Sequence, residues 1–564
     1  MVGEKWRGSM DVNRRIFIGG AALAAGLAAS AGATSEARGG DKAQRKALKA
    51  LESYVERHRA EWGVPGMTVA VVTRDGFEGF VRSGLADVER GTPVAPDHLF
   101  QIGSISKMFT ALATYALMDE GKIASDARLE DVLKGMKVRG GETITLQHLL
   151  NHTSGLPSDS AIFPQGGLWV GFAPGTGWSY SNSGYQLAGD MAAAAAGELY
   201  EDLVRKRVLE KIGMRNSVPT MRVADRHRYA QGYEPALTDR LNPRPGAMTP
   251  TPWVDSDSPA GSIAATAGDM AAFLRFLLDL ADGRGGAVFS NETAKRFLAD
   301  PVDGWGPGAK YGNGVARIEI DGRNYLHHTG GMISFCSALH VDAAAGVAAF
   351  ASANIHYSLN YRPVRVTTYA CELLRAVKEN AALPAPKPPM IALEKPTQYA
   401  GVFTAADGDR FEIAVDGETL RLLRGGRSSR LQQAAGSLFA TTEPDFAVTG
   451  VVIEVEDDRA VRAFVGETEY LADPAVGYQQ PAAADLRALS GRYDNDDRWA
   501  GPLYVYARSG KLWIGNAEPL TPLKGGEWRL GDETSPERIR FDGFINGRPH
   551  LLLFSGTPYA RRFS

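Results

Sequence analysis

The chain has 564 residues, 44% of them apolar and 23% charged, with 62 lysines and arginines against 65 aspartates and glutamates and a formal charge of -3. That length allows several domains at about 100–200 residues each and excludes a single small binding module. The balanced charge argues against a nucleic-acid partner and the apolar fraction against global disorder, while two cysteines, Cys336 and Cys371, are too few for a disulfide framework or a tetrahedral zinc site and leave room for one bridge at most.

Near the amino terminus, Arg14-Arg15 precedes Ile16-Phe17-Ile18 and a Gly/Ala/Leu run that ends in small residues at Ala31-Gly32-Ala33. Residues 1–33 are expected to be a twin-arginine signal peptide, cut off on export to the periplasm. Its loss would remove four basic and two acidic side chains and take the formal charge from -3 to -5. No later stretch approaches the roughly 18 continuous apolar residues of a membrane span, so no stable membrane insertion is expected after cleavage.

Ala43 to Trp62 favours a helix, and Met67–Thr73, Asp75-Gly76 and Phe77–Val81 spell a β-hairpin. Helices are expected over Ser104–Asp119, with Met108, Leu112 and Tyr115 at helical spacing, over Tyr185–Ala196, and over Ala265–Leu280 behind a Thr266-x-x-Asp269 capping pattern. Strands return at Tyr325–His328, Ser337–Val341 and Val347–Ala351. Strands at both ends with helices between imply an α+β domain, residues 42–385, in which helices flank an antiparallel sheet.

The proline-rich linker Ala382–Pro389 marks the boundary of that domain. Beyond it, Tyr399–Phe403, Phe411–Val415, a turn at Asp416-Gly417 and Thr419–Leu423 are echoed about 90 residues later by Leu489–Tyr493, Leu503–Tyr506, a turn at Ser509-Gly510 and Lys511–Ile514. Two all-β, barrel-like domains of the lipocalin kind are expected, over residues 395–482 and 485–564.

Ser104-Ile-Ser-Lys107 is the sole S-x-x-K of the chain and opens a helix, where positions i and i+3 share a face, so the Lys107 amine can reach the Ser104 hydroxyl. A base acting on that hydroxyl makes it a nucleophile, and a helix amino terminus offers N–H groups to a developing oxyanion. Tyr180-Ser-Asn182 precedes another helical run; its phenol suits proton transfer and its amide suits a substrate carbonyl. The same spacing recurs at Tyr311-Gly-Asn313 and Tyr493-Asp-Asn495, so only the setting favours Tyr180. His328-Thr-Gly330-Gly331 is expected at the end of a strand, with His328 donating to a substrate carbonyl or carboxylate and the glycines letting a substrate backbone approach.

The ordered set of S-x-x-K, Y-x-N and H-T-G, with His148–Leu156 and Ser258–Asp269 around it, resembles the class C β-lactamase and D-alanyl-D-alanine carboxypeptidase superfamily of serine hydrolases over about residues 45–380. The resemblance implies that Ser104 is the nucleophile, Lys107 its partner and Tyr180 the general acid/base, that Asn182, His328, Gly330 and Gly331 bind substrate, and that the oxyanion hole uses the N–H groups of Ser104 and Gly331. The β-lactamases carry lysine where this chain has His328, and a histidine is largely neutral near pH 7, so strong penicillin hydrolysis is not expected. The histidine form is similar to the D-stereospecific aminopeptidases, which also carry two barrels after the catalytic domain; the resemblance implies that the barrels shape access to the site, although no loop in residues 395–564 shows chemistry of its own.

Other chemistries fit less well. His148 and His152 stand four apart, but Leu149 occupies the place where a zinc peptidase needs glutamate; no G-x-S-x-G occurs; and Cys336 reads as a small buried thiol. The expectation is therefore an exported serine hydrolase that needs no metal or other cofactor and acts through an acyl-enzyme on small peptides or amides, D-residues among them, as an aminopeptidase- or carboxypeptidase-like peptidase, with esters, or a non-catalytic cell-wall or peptide-binding role, as the rival readings.

Overall fold

The computed structural model describes residues 31–164, 167–236, 240–241, 248–356, 361–388, 393–497, 499–515 and 518–562. All but the last three residues of the expected signal segment lie outside that set. Among the described residues no helix is long and apolar enough to cross a membrane.

The run Gly66–Thr73 is apolar on both sides of the pleat because both faces of its sheet are covered. Val69 and Val71 pack with Ala349 and Ala351 beneath the helices Lys42–Trp62 and Val364–Lys378, whereas Ala70 and Val72 pack with Ala348 and Phe350 against Ser106–Asp119 and Ala267–Ala281. The sheet is antiparallel, and its central strands run in the order Glu78–Asp87, Gly66–Thr73, Val347–Ala353, Cys336–Asp342, Arg323–Gly331 and Val315–Ile320. The first and last parts of residues 42–385 thus meet at the middle of the sheet, where Gly66–Thr73 pairs with Val347–Ala353.

Local expectations hold with shifts that matter at three places. Ser104 lies in a 3-10 turn, Gly103–Ile105, and the α-helix begins at Ser106. The helix expected from Tyr185 starts at Asn182, capped by the Ser181 side chain accepting from Gly184 N–H. The strand expected to stop at His328 continues to Gly331. Thr266 caps its helix through Asp269 N–H, but the Asp269 carboxylate is turned to Asn216 and Ser217 instead of closing a capping box. Cys336 and Cys371 are buried free thiols.

The two repeated segments form two closed barrels of eight strands each, Gly401–Leu471 and Gly491–Arg561. Closure comes from pairing Thr404 with Leu471 and Tyr493 with Arg561. The repeat is visible in the packing. Phe403 and Tyr493 hold equivalent interior positions, as do Leu420 and Leu422 against Leu512 and Ile514, so side chains fill both lumens.

Candidate active site

The Ser104 turn is set by glycines. Gly103 adopts φ +55°, and a Cβ there would sit 2.6 Å from Gly331 N. A Cβ on Gly330 would lie 1.9 Å from Ile102 O and 2.3 Å from Ser337 Oγ, while Ser337 Oγ donates to that same carbonyl at 2.7 Å. Gly330→Ala should therefore destabilise the domain by about 2–4 kcal/mol, because the obstructing atom is backbone and has nowhere to go. Thermal unfolding of the variant checks this; an unchanged melting temperature would show that the strand and the turn separate freely.

Lys107 is fully buried in the first turn of the helix, one turn beyond Ser104. Its Nζ lies 3.1 Å from Ser104 Oγ, 2.6 Å from Asn182 Oδ1 and 2.9 Å from the Ala260 carbonyl. The orientation of the Asn182 amide follows from Asp159, whose Oδ1 accepts from Asn182 Nδ2 at 2.8 Å, so Oδ1 is the atom that faces the lysine. The Asn182 and Ala260 oxygens can only accept, and Ser104 Oγ can accept or donate. The same geometry serves an ammonium donating to Ser104 and a neutral amine receiving the Ser104 proton.

Tyr180 closes the other side, its ring centroid 4.7 Å from Lys107 Nζ. Its ring is held by His152 at 4.3 Å and Trp305 at 5.8 Å between centroids. His152, at φ +59°, accepts from Ser181 N–H through Nδ1 at 3.0 Å, so one imidazole fixes both the tyrosine ring and the cap of the Asn182 helix. Burial, reinforced by the Lys107 charge, pushes the His152 pKa well below its ordinary value and keeps the ring neutral. The His148 ring, meanwhile, accepts from Thr145 N–H in a capping box, so the two histidines serve different structural ends.

His328 does not take the place expected of it. It is fully buried, with Nδ1 against the Thr329 carbonyl at 2.6 Å and Nε2 against the Tyr311 hydroxyl at 3.2 Å, so neither ring nitrogen is free for substrate. The cause is strand parity: Thr329 and Gly331 line the cavity, and the alternate residues His328 and Gly330 turn inward. Burial and then the Lys107 charge drive the His328 pKa well down, so it stands as a neutral ring behind the site. Gly330 likewise lies off the cavity wall and makes room for Ile102.

Ser104, Tyr180, Asn182, Thr329 and Gly331 share the wall of one cavity of about 870 Å³. Its charged lining among the described residues is Asp159, Asp190 and Asp497 against Arg362. Asp497 belongs to the second barrel, which also brings Asn495, Trp499 and residues 556–558 to the wall. The sequence reading missed Asp159 and His152, and it had a part for the barrels in shaping access only through the resemblance to the D-aminopeptidases, with none of these barrel residues. His152 had a local signal, being part of the His148–Leu156 segment; the barrel loops had none.

The beta-lactamase family model matches residues 51–372. Penicillin-binding protein 4 of Amycolatopsis lactamdurans is 31% identical over 315 residues, covering 52% of this chain and 81% of the relative. The D-aminopeptidase of Gluconobacter oxydans (strain 621H) is 26% identical over 534 residues, covering 86% of this chain and 92% of its own, a likeness too long to end before the barrels. The solved structure of the octameric penicillin-binding protein homologue from Pyrococcus abyssi superposes with a TM-score of 0.52 at 22% identity over 75% of this chain and 99% of that one, which shows a shared fold. Over more than half its length, then, this chain belongs to the beta-lactamase family.

Proposed function

We propose that the protein is a serine peptidase or amidase in which Ser104 attacks the carbonyl of a small peptide or amide and forms an acyl-enzyme that water then releases. The observation that carries this reading is the Lys107 amine at 3.1 Å from Ser104 Oγ, held there by Asn182 Oδ1 and the Ala260 carbonyl as acceptors. Proton transfer from Ser104 runs to Lys107 and Tyr180 as a coupled pair, and Tyr180 delivers a proton to the leaving amine.

The oxyanion hole uses Ser104 N–H and Gly331 N–H. Met332 N–H donates to Phe335 O at 2.7 Å, and alternation along the antiparallel ladder directs Gly331 N–H away from the neighbouring strand and toward the Gly103–Ser104 turn. The acidic lining by Asp159, Asp190 and Asp497 suits a substrate with a free amine. Together with the long likeness to a D-aminopeptidase, it favours aminopeptidase-type cleavage, with D-residues among the acyl groups accepted. No cofactor enters the mechanism. The Arg14-Arg15 segment supports export to the periplasm, and an exported form that still carries Arg14-Arg15 would overturn that part.

The test is a panel of D- and L-amino-acid amides, short peptides with free and blocked amines, and acyl esters. The expected result is a preference of about tenfold or more for amides with a free amine, together with a trapped acyl group on the Ser104 peptide by mass spectrometry. Faster turnover of amine-blocked acyl esters than of every amide, relative to their intrinsic reactivity, would move the assignment to an esterase.

A further inference from the structure

The Ser104–Lys107–Asn182 group is tied to a residue 379 positions away from its anchor in the catalytic domain. Ser158 N–H donates to Glu537 Oε1 of the second barrel at 2.6 Å. The Ser158 carbonyl accepts from Asn182 N–H at 2.7 Å and from Ser183 N–H at 3.0 Å, and Ser158 Oγ donates to Asp159 Oδ2 at 2.9 Å. Asp159 Oδ1 then orients the Asn182 amide, whose Oδ1 receives Lys107 Nζ at 2.6 Å. A continuous path of hydrogen bonds thus runs from Glu537 through Ser158, Asn182 and Lys107 to Ser104.

We propose that Glu537 is a positioning residue for catalysis: its carboxylate holds the Ser158–Asp159 segment so that Asn182 presents its oxygen to Lys107 at the distance proton transfer needs. The second barrel then serves as a brace for the catalytic group as well as a wall of the cavity. A carboxylate is the strongest neutral-pH acceptor a side chain offers to an N–H, and the Glu537 carboxylate is itself fixed, because its second oxygen accepts from Ser555 Oγ. The barrel has other attachments that bypass this path. Trp169 Nε1 donates to Pro536 O at 3.0 Å, and Gly171 leaves room for Pro536, whose Cα would lie 2.4 Å from a Cβ there. Docking of the barrel and support of Asn182 are therefore separable by mutation.

This inference rests on Ser104 being the nucleophile, and the experiment separates the two. The rate of covalent labelling of Ser104 by a fluorophosphonate is compared with turnover of the best panel substrate in wild type, Glu537→Ala, Glu537→Asp, Glu537→Gln and Trp169→Phe. Glu537→Ala should lower labelling and kcat about 10–100-fold with KM within about threefold, since displacement of roughly an ångström at a catalytic group has that scale. Glu537→Gln keeps an acceptor for Ser158 N–H and should recover to within about threefold of wild type, Glu537→Asp should fall between, and Trp169→Phe should match wild type. Wild-type rates in both Glu537→Ala and Glu537→Asp, or a Trp169→Phe loss as large as that of Glu537→Ala, overturn the proposal. Wild type that resists labelling at Ser104 overturns the nucleophile instead. In that event hydrogen exchange still decides the brace, because Glu537→Ala must speed exchange in the Ser158 and Asn182–Ser183 amides, and unchanged exchange there rejects it.

Discussion

Ser104→Ala is expected to lower kcat/KM by about 10⁴-fold or more while leaving the melting temperature within a few degrees of wild type. The hydroxyl is half-buried on the cavity wall, and its loss leaves Lys107 with two acceptors, Asn182 Oδ1 and the Ala260 carbonyl. The turn that carries it depends on Gly103, Gly330 and the Ile102 carbonyl, none of which the substitution touches. Chemistry is lost without loss of fold. Any rate that remains reflects binding and the two oxyanion donors acting on water, which is why a residue of activity over the uncatalysed reaction is compatible with the mechanism. Steady-state kinetics on the amide panel, with circular dichroism melts alongside, measure both halves. Turnover in Ser104→Ala within tenfold of wild type would place the nucleophile elsewhere.

The parts of the site that the sequence made legible are those whose geometry is local. S-x-x-K places two residues three positions apart on one face of a helical turn, and the amine meets the hydroxyl as that spacing requires. Tyr180 and Asn182 were singled out by their setting ahead of a helix, and the helix indeed begins at Asn182. His328 was misplaced because the strand was ended too soon. Once the strand runs to Gly331, its period of two assigns Thr329 and Gly331 to the cavity and His328 to the interior, so the place of the strand end decides which way the histidine faces.

The barrels divide in the same way. Their existence was readable from doubled glycine turns and alternating strands, which are local patterns, and both lumens are filled by the residues those patterns mark. The residues by which they dock were not readable. Asp497, Trp499 and Glu537 reach the catalytic domain through loops with no periodicity, and what makes them functional is a complementary surface hundreds of residues away. Pairings of that kind follow from rigid-body packing of finished domains and leave no spacing rule in the chain.

Lys107→Met should reduce kcat by about 10²–10⁴-fold, the range of a general base removed from a nucleophile, with a smaller effect on KM. Methionine matches the length of the lysine stem and fills the same buried space beside Tyr180 and Tyr185, whose ring centroids lie 4.7 Å and 5.5 Å from Nζ. Two opposing terms set the stability. Removing a buried cation relieves its desolvation, while Asn182 Oδ1 and the Ala260 carbonyl lose their donor, so the fold should change little in stability. Loss of the Lys107 charge also removes one of the influences that depress the His152 and His328 pKa values, but burial, the larger cause, remains, and both rings stay neutral. Lys107→Arg provides the decisive contrast. A guanidinium keeps the charge yet cannot give up its proton, so it should not restore kcat. Recovery by arginine to within tenfold of wild type would mean that Lys107 acts as a fixed charge and that the Ser104 proton leaves by way of Tyr180 alone.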